Sequence, residues 1–417
     1  MGNFSIALSG LTAQSDALNI VSNNLANLNT AGFKGSTASF QELVSAAMGS
    51  QPNGMGVAPP SAQRNFSQGS VQNTGAAFDA ALEGSGFFMV QSAAGQQMYT
   101  RAGSFHLDSG GNLVDTNGNA VLGFNAVNGV VTPGGAVAPI NVPMTAVMSP
   151  TASTAFSFNA NLSASAQTND TFSTPVQVVD SLGETHTLTV TFTKQNATDW
   201  KYDVNIPQAD LTSSGSGGGS GSGTTPPPLA TGTVTFNNMG QLTAPAAGSP
   251  VDIPITGLGD GAHDLDIKWN LYNTDGSSTL TQFAQASAVS TVNVDGNTPG
   301  QLTNVALGDN GTVVASFSNG KTQTLAQLAI AGIQNPSTLE DIGQNDYTAG
   351  AGTSAPAIGV ANSGGRGAVQ AGALESSNVD IATEFTNLII FQRGYQANSR
   401  VITTLDQLSQ DLMQIRP

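Results

Sequence analysis

The chain contains no cysteine in 417 residues, which excludes a disulfide framework, thiol catalysis and zinc sites built on thiolates. Charge is scarce as well: 9% of residues are Asp, Glu, Lys or Arg, where an ordinary soluble domain carries roughly 25%. Basic residues number 11 against 27 acidic, a net charge of −16, so there is no cationic surface to neutralise phosphates and a nucleic-acid partner is excluded on electrostatic grounds. No apolar run approaches the roughly 20 residues needed to cross a bilayer as a helix. Residues 1–33 hold no Lys or Arg and do not read as a secretory signal, while export by a route that recognises an uncleaved N-terminus stays open. Histidine is limited to His106, His186 and His263, none with a second His or a carboxylate at helical ligand spacing. Each falls in a strand-like stretch and reads as an ordinary surface or edge residue, which argues against a zinc or non-haem iron site.

What is present is enough to fold. With 39% hydrophobic residues the chain lacks the signature of disorder, and its length predicts two or more domains. The charge is unevenly spread: residues 1–70 sum to 0, 71–145 to −3, 146–290 to −8, 291–370 to −3 and 371–417 to −2. Solvated surface therefore belongs to the middle, and the near-neutral ends suit contact. Residues 4–28 have a seven-residue period, with Phe4, Leu11, Leu18 and Leu25 on one position and Ala7, Gln14, Val21 and Leu28 three residues later. The C-terminus repeats it, with Leu374, Ile381, Leu388, Tyr395 and Ile402 on one position and Phe391, Leu405 and Leu412 three later. Either seam alone fits a plain core helix. The pair predicts two terminal helices that pack together, and against other subunits, along heptad seams.

Between the ends the texture is β, with 49 Gly and 19 Pro. Hairpin turns are expected at Asn117-Gly118, Asn128-Gly129, Asn310-Gly311 and Asn319-Gly320. A strand is expected at Thr187 to Phe192, with Leu188, Val190 and Phe192 on one face. The tandem heptapeptides Asp108 to Val114 and Asp115 to Val121 predict two successive turns feeding two short strands. Ser213 to Pro228 is low complexity, a linker or an exposed loop within the middle domain.

No constellation supports catalysis. Gly320-Lys321-Thr322 imitates the end of a phosphate loop, but position 315, where a Gly is required, is Ala315. Asp115, Asn117 and Asn119 imitate a calcium loop, but Ala126 stands where the bidentate Glu belongs. Asp260, Asp264 and Asp266 read as a solvated acidic face, with weak cation binding as the alternative. No cofactor and no metal site is expected.

Ser9-Gly-Leu-Thr-Ala-Gln14, Asn23-Asn-Leu-Ala-Asn27 and Asn29-Thr-Ala-Gly-Phe-Lys34 closely resemble the N-terminal signature of the bacterial flagellar rod and hook protein family. Gly372-Ala-Leu-Glu-Ser-Ser-Asn-Val-Asp380 and Phe391-Gln-Arg-Gly-Tyr-Gln-Ala-Asn-Ser-Arg400 resemble its C-terminal signature. Leu82 to Val90, Tyr99 to Gly103 and Val121 to Phe124 are similar to its shared β region. Within the middle, Val178 to His186 and Gly232 to Leu242, and further on Phe317 to Gln323, are similar to hook members rather than to the distal rod member, which lacks a large middle domain. The signature residues carried over are Asn23, Asn24, Asn27, Thr30, Gly32, Phe33, Lys34, Asn378, Val379, Asp380, Gln392, Tyr395 and Asn398.

The resemblance implies an α+β fold in which N- and C-terminal helices pair as a coiled coil and mainly antiparallel β domains are inserted between them. The expected division is 1–70 for the N-terminal axial helix and connecting segment, and 71–145 for the first part of an inner β domain. An outer β domain at 146–290 follows, then the second part of the inner domain at 291–360, and a connecting segment with the C-terminal axial helix at 361–417. It implies a structural subunit of the flagellar hook, polymerising with itself into a curved hollow tube that couples rod to filament flexibly. Implied partners are the distal rod, hook cap, hook-filament junction and hook-length control proteins, with an extracellular location reached through the flagellar type III route. The terminal helices are expected to be disordered in the monomer. A distal rod subunit is the alternative within the family. An extracellular β-rich adhesin or carbohydrate-binding protein would explain the middle composition but not the terminal signatures.

Overall fold

The computed structural model describes residues 2–44, 54–212 and 227–414; most of the low-complexity run, 213–226, lies outside the described residues. The architecture is α+β, with one long helix at each end of the chain and mostly antiparallel strands between them. The chain divides into two compact units, one of Met1–Met144, Asn304–Ala315 and Thr322–Pro417, the other of Thr145–Thr303 and Ser316–Lys321.

In the first unit, helix α1 spans Gly2–Ala26 and helix α2 spans Ile381–Gln414. Beside them lies an antiparallel sheet in the order Thr322–Leu328, Ala120–Val127, Phe87–Gln91, Gln97–Thr100, Asp346–Ala349, Leu339–Gly343. Its core gathers Phe87, Met89, Tyr99, Leu122, Phe124 and Tyr347, since alternate residues of each strand point to one face. The tandem heptapeptides form the same turn twice. Asp108 Oδ1 accepts the N–H groups of Gly110 and Asn112, and Asp115 Oδ1 accepts those of Asn117 and Asn119, each at 2.8 Å. Of the expected Asn-Gly turns, Asn128-Gly129 and Asn310-Gly311 have positive φ at both residues, whereas at 117–118 and 319–320 the glycine alone does.

The second unit is a sandwich of two five-stranded sheets. One is a meander of Thr171–Val179, Thr185–Lys194, Asp199–Asn205, Ala230–Phe236 and Leu242–Ala244. The other is built around Ala155–Asn161, which pairs in parallel with Leu265–Trp269 and Leu280–Thr281 and antiparallel with Ala288–Val294. Trp269 is fully buried between them, stacked on Phe158 at 5.2 Å and edge-on to Tyr202 at 5.3 Å. Leu188, Val190 and Phe192 share the buried face of one long strand. Ala288–Val294 completes a sheet of this unit.

His186 also departs from expectation. It is not a surface or edge residue but 4% exposed, because Asp180 faces its Nε2 at 3.1 Å and Asp210 its Nδ1 at 3.2 Å. His106 and His263 are exposed.

Candidate assembly site at the paired chain ends

Helix α1 holds a single charge, Asp16, in 25 residues, so an apolar neighbour costs it little desolvation. Helices α1 and α2 pack antiparallel. Asn24 Nδ2 donates to Glu384 Oε1 at 2.9 Å. Ten residues back along α1 and ten forward along α2, Gln14 lies against Gly394, where a Cβ would come 2.9 Å from the Gln14 side chain. Four further residues in each direction bring Gly10 against Asn398, again at 2.9 Å for an added Cβ. Large polar side chains thus sit on glycines of the opposite helix, and the backbones approach closely.

This register decides which stripe faces inward. The buried row of α1 is Ala7, Ala13, Ala17, Val21 and Asn24, with Gly10 and Gln14 partly covered. Of the expected seam, Ala7 and Val21 are buried and Gln14 is partly covered, whereas Leu11, Leu18 and Leu25 are half-buried flank residues, Leu28 is half-buried past the helix end, and Phe4 is 48% exposed. On α2, Leu388, Phe391, Ile402 and Leu405 are half-buried, while Ile381 and Tyr395 are exposed. Leu374 does not belong to the helix. It lies in the strand Ala373–Glu375, paired with Val71–Asn73, and α2 starts only at Ile381, where Asp380 Oδ1 caps the Thr383 N–H at 2.7 Å. The side chain of Leu412 lies outside the described residues.

The signature residues between the helices knit the two ends of the chain. Lys34 Nζ, fully buried, donates to Glu375 Oε1 at 2.6 Å and to the Ser67 carbonyl at 2.8 Å. Arg101 donates to Glu375 Oε2 at 3.2 Å and to the carbonyls of Leu82 and Gly84. The Gly69 N–H completes the shell of Glu375 Oε1 at 2.8 Å. Burial pulls the Lys34 ammonium and the Arg101 guanidinium below their ordinary values, and Glu375 opposes that in both. One carboxylate serving two buried cations is a junction that cannot lose a member cheaply.

Asn378 extends the junction. Its Oδ1 accepts the Gly35 N–H at 2.8 Å, and its Nδ2 donates to the carbonyls of Asn65 and Ser67. Gly32 has φ +69°, and a Cβ there would fall 2.5 Å from the Ala102 nitrogen, so glycine is required. Asn24 Oδ1 accepts the Ser36 N–H at 2.9 Å, Thr30 Oγ1 donates to Asn27 Oδ1, and Asn27 Nδ2 donates to the Asn23 carbonyl. Phe33 is buried, with the Arg64 guanidinium 5.8 Å from its ring centre, and Val379 packs against Gly35. Gln392 is exposed. Sequence reasoning missed Glu375, Arg101 and Glu384. The available signal was that Arg101 is the one charge in Tyr99 to Gly103, and that Glu375 lies in the middle of the segment Gly372 to Asp380.

The outer surface of the helix pair exposes large apolar side chains among its polar ones. Phe4, Ile6, Phe385, Ile389, Ile390 and Leu408 are 41–58% exposed. Two buried polar atoms on the pair, Gln14 Oε1 and Glu384 Oε2, have no hydrogen-bond partner among the described residues. No helix of the described residues is long and apolar enough to cross a membrane.

Three family models match the chain: the flagella basal body rod protein at residues 4–34, the flagellar basal body protein FlaE D2 domain at 141–297, and the flagellar basal body rod FlgEFG protein C-terminal region at 370–415. The chain is similar to the flagellar hook protein FlgE of Salmonella typhimurium, 32% identical over 430 residues that cover 99% of this chain and 100% of that protein. It is similar to that of Rhizobium meliloti, 32% identical over 426 residues covering 100% and 99%. Against that of Treponema pallidum the identity is 29% over 455 residues, covering 98% of each.

Proposed function

The chain belongs to the flagellar hook protein family, and on that premise we propose that it is a structural subunit of the bacterial flagellar hook, polymerising with itself into a curved hollow tube that transmits torque flexibly from rod to filament. The observation that carries this reading is the set of large apolar side chains left exposed on the terminal helix pair. A folded monomer that leaves Phe385, Ile389 and Ile390 about half exposed gains roughly 0.8–1.5 kcal/mol, half the value for full burial, for each such side chain that a neighbouring subunit covers. In this reading α1 and α2 form a coiled coil lining the inner tube, with Leu11, Leu18, Leu25, Leu388, Phe391, Ile402 and Leu405 at the shoulder between the intramolecular seam and the next subunit. The buried junction at Glu375 keeps the two helices in register while subunits pack.

The division into axial helices, an inner β domain and an outer β domain assigns each a role. Axial contacts hold the tube, and weak, wet, acidic contacts between outer domains re-form as the curved polymer turns. Export through the flagellar type III route, with the distal rod, hook cap, hook-filament junction and hook-length control proteins as partners, follows from the same reading. The distal rod alternative lacks support from the large middle unit, and no catalytic role is proposed.

The test is Ile390→Asp. Ile390 is 56% exposed, so the monomer keeps its fold, but a buried charge between subunits costs several kcal/mol. Sedimentation and electron microscopy are expected to show monomers where the unaltered chain forms tubes. Normal tubes from this variant would overturn the reading.

A further inference from the structure

The histidine and aspartates of the second unit make a cluster that the assembly reading does not use. Asp180 Oδ2 lies 3.1 Å from His186 Nε2, and Asp260 Oδ2 lies 3.8 Å from the same nitrogen. On the opposite side of the ring, Asp210 Oδ2 lies 3.2 Å from Nδ1. Three separate turns deliver these groups: the turn after Thr171–Val179, the short helix Gln208–Asp210, and the loop before Leu265–Trp269. The Leu211↔Leu258 bridge and the Gly259 N–H, which donates to the Asp210 carbonyl at 2.9 Å, hold the last two together.

We propose that His186 Nε2, Asp180 and Asp260 form a binding site for a divalent transition metal ion of the zinc class, with Asp210 orienting the imidazole from behind. Three features point this way. The three ligand atoms lie within 4.8 Å of one another, and the two measured separations bracket the roughly 3.3–3.5 Å between ligand atoms of a tetrahedral zinc with bonds of about 2.0–2.2 Å. Second, Asp180 is preset as a ligand: its Oδ1 accepts the N–H groups of Leu182, Gly183 and Glu184 at 2.7–2.9 Å, which leaves Oδ2 aimed at Nε2. Third, Asp210 lies 3.2 Å from Nδ1, on the side of the ring away from Asp260, where a carboxylate supports the imidazole of a metal-bound histidine.

The carboxylate oxygens of Asp180 and Asp260 lie within 4.8 Å of each other, so like charges meet there unless a proton or a cation lies between them. Imidazole and carboxylate donors, with three protein ligands, select a transition ion over calcium or magnesium, which take six or more oxygens. Of the aspartates grouped in the sequence, Asp260 alone joins the site; Asp264 instead caps the Gly257 N–H.

The experiment is calorimetric titration of the full, metal-free chain with zinc chloride, repeated with calcium chloride. Saturable one-to-one zinc binding in the micromolar range is expected at pH 7.5, with proton release and a loss of about tenfold in affinity per pH unit once His186 is protonated. His186→Ala and Asp260→Asn should each weaken zinc at least tenfold, and Asp264→Asn should leave it unchanged. Asp260 is partly exposed, so Asp260→Asn remains decisive if His186→Ala fails to fold, as judged by Trp269 fluorescence. The absence of saturable zinc binding, equal binding by Asp260→Asn, or equally tight calcium binding would each overturn the proposal.

Discussion

Replacing Glu375 by Ala tests the junction that ties the chain's two ends. The substitution leaves Lys34, with a side chain fully buried, and Arg101, 5% exposed, without their shared counter-charge. Removing one partner of a buried ion pair costs about 3–5 kcal/mol, and the Gly69 N–H also loses its acceptor. Hydrogen exchange reads this locally. The amides of Gly32 and Gly35 are held by the Glu375 carbonyl and by Asn378 Oδ1, neither of which the substitution removes, so faster exchange there reports cooperative opening of the junction. At about 1.4 kcal/mol per factor of ten, acceleration by roughly two to nearly four orders of magnitude is expected. The molecule carries its own control. Its two tryptophans, Trp200 and Trp269, both belong to the other unit, and their fluorescence unfolding curve should not move. Acceleration below fivefold at Gly32 and Gly35, or an equal shift of the tryptophan transition, would refute the view that Glu375 holds this junction.

Gly32→Ala forces a Cβ into a left-handed residue against the Ala102 backbone; a loss above about 1 kcal/mol is expected, measured by urea unfolding with hydrogen exchange in the same segment. Gly394→Ala meets only the flexible Gln14 side chain and should be tolerated, whereas Gly394→Leu wedges the helices apart at about 1–3 kcal/mol, seen as lost ellipticity at 222 nm. Asp346 is pushed up to about 6, first by burial and then by the charge of Asp115. Its folded value is raised, so between about pH 4 and pH 6 the folded state holds the extra proton and stability falls as pH rises, by about 3 kcal/mol in all. Asp346→Asn should flatten that slope in unfolding curves taken across this range; an unchanged slope would assign it to other groups.

Much of the candidate site was legible in particular residues. The seven-residue period marked both terminal helices, and Asn378 and Lys34 stood out within signature segments. The period marked Ala7, Gln14 and Val21, which lie on the facing stripe, but it did not separate that stripe from the leucines at positions 11, 18 and 25, which repeat equally well. The Gly10 and Gly394 approaches choose the stripe, because glycine lets the backbones close and leaves the leucines on the flank. Leu374 kept the period but not the helix: Gly372, with φ +65°, and the Asp380 cap interrupt it, and a local strand pairing wins. His186 alternated correctly as a strand residue, yet Asp210 and Asp260 are 24 and 74 residues further along the chain and no local pattern connects them.

The sequence by itself determined the class of fold, the helical ends, the β texture with its turns and the family, because these follow from periodicities and motifs carried within short segments. Tertiary structure alone decided which helix faces meet, that Glu375 serves two buried cations, and that three aspartates surround one imidazole. Each of those depends on pairings between residues far apart in the chain, where the outcome is set by steric fit and by desolvated charge finding its partner.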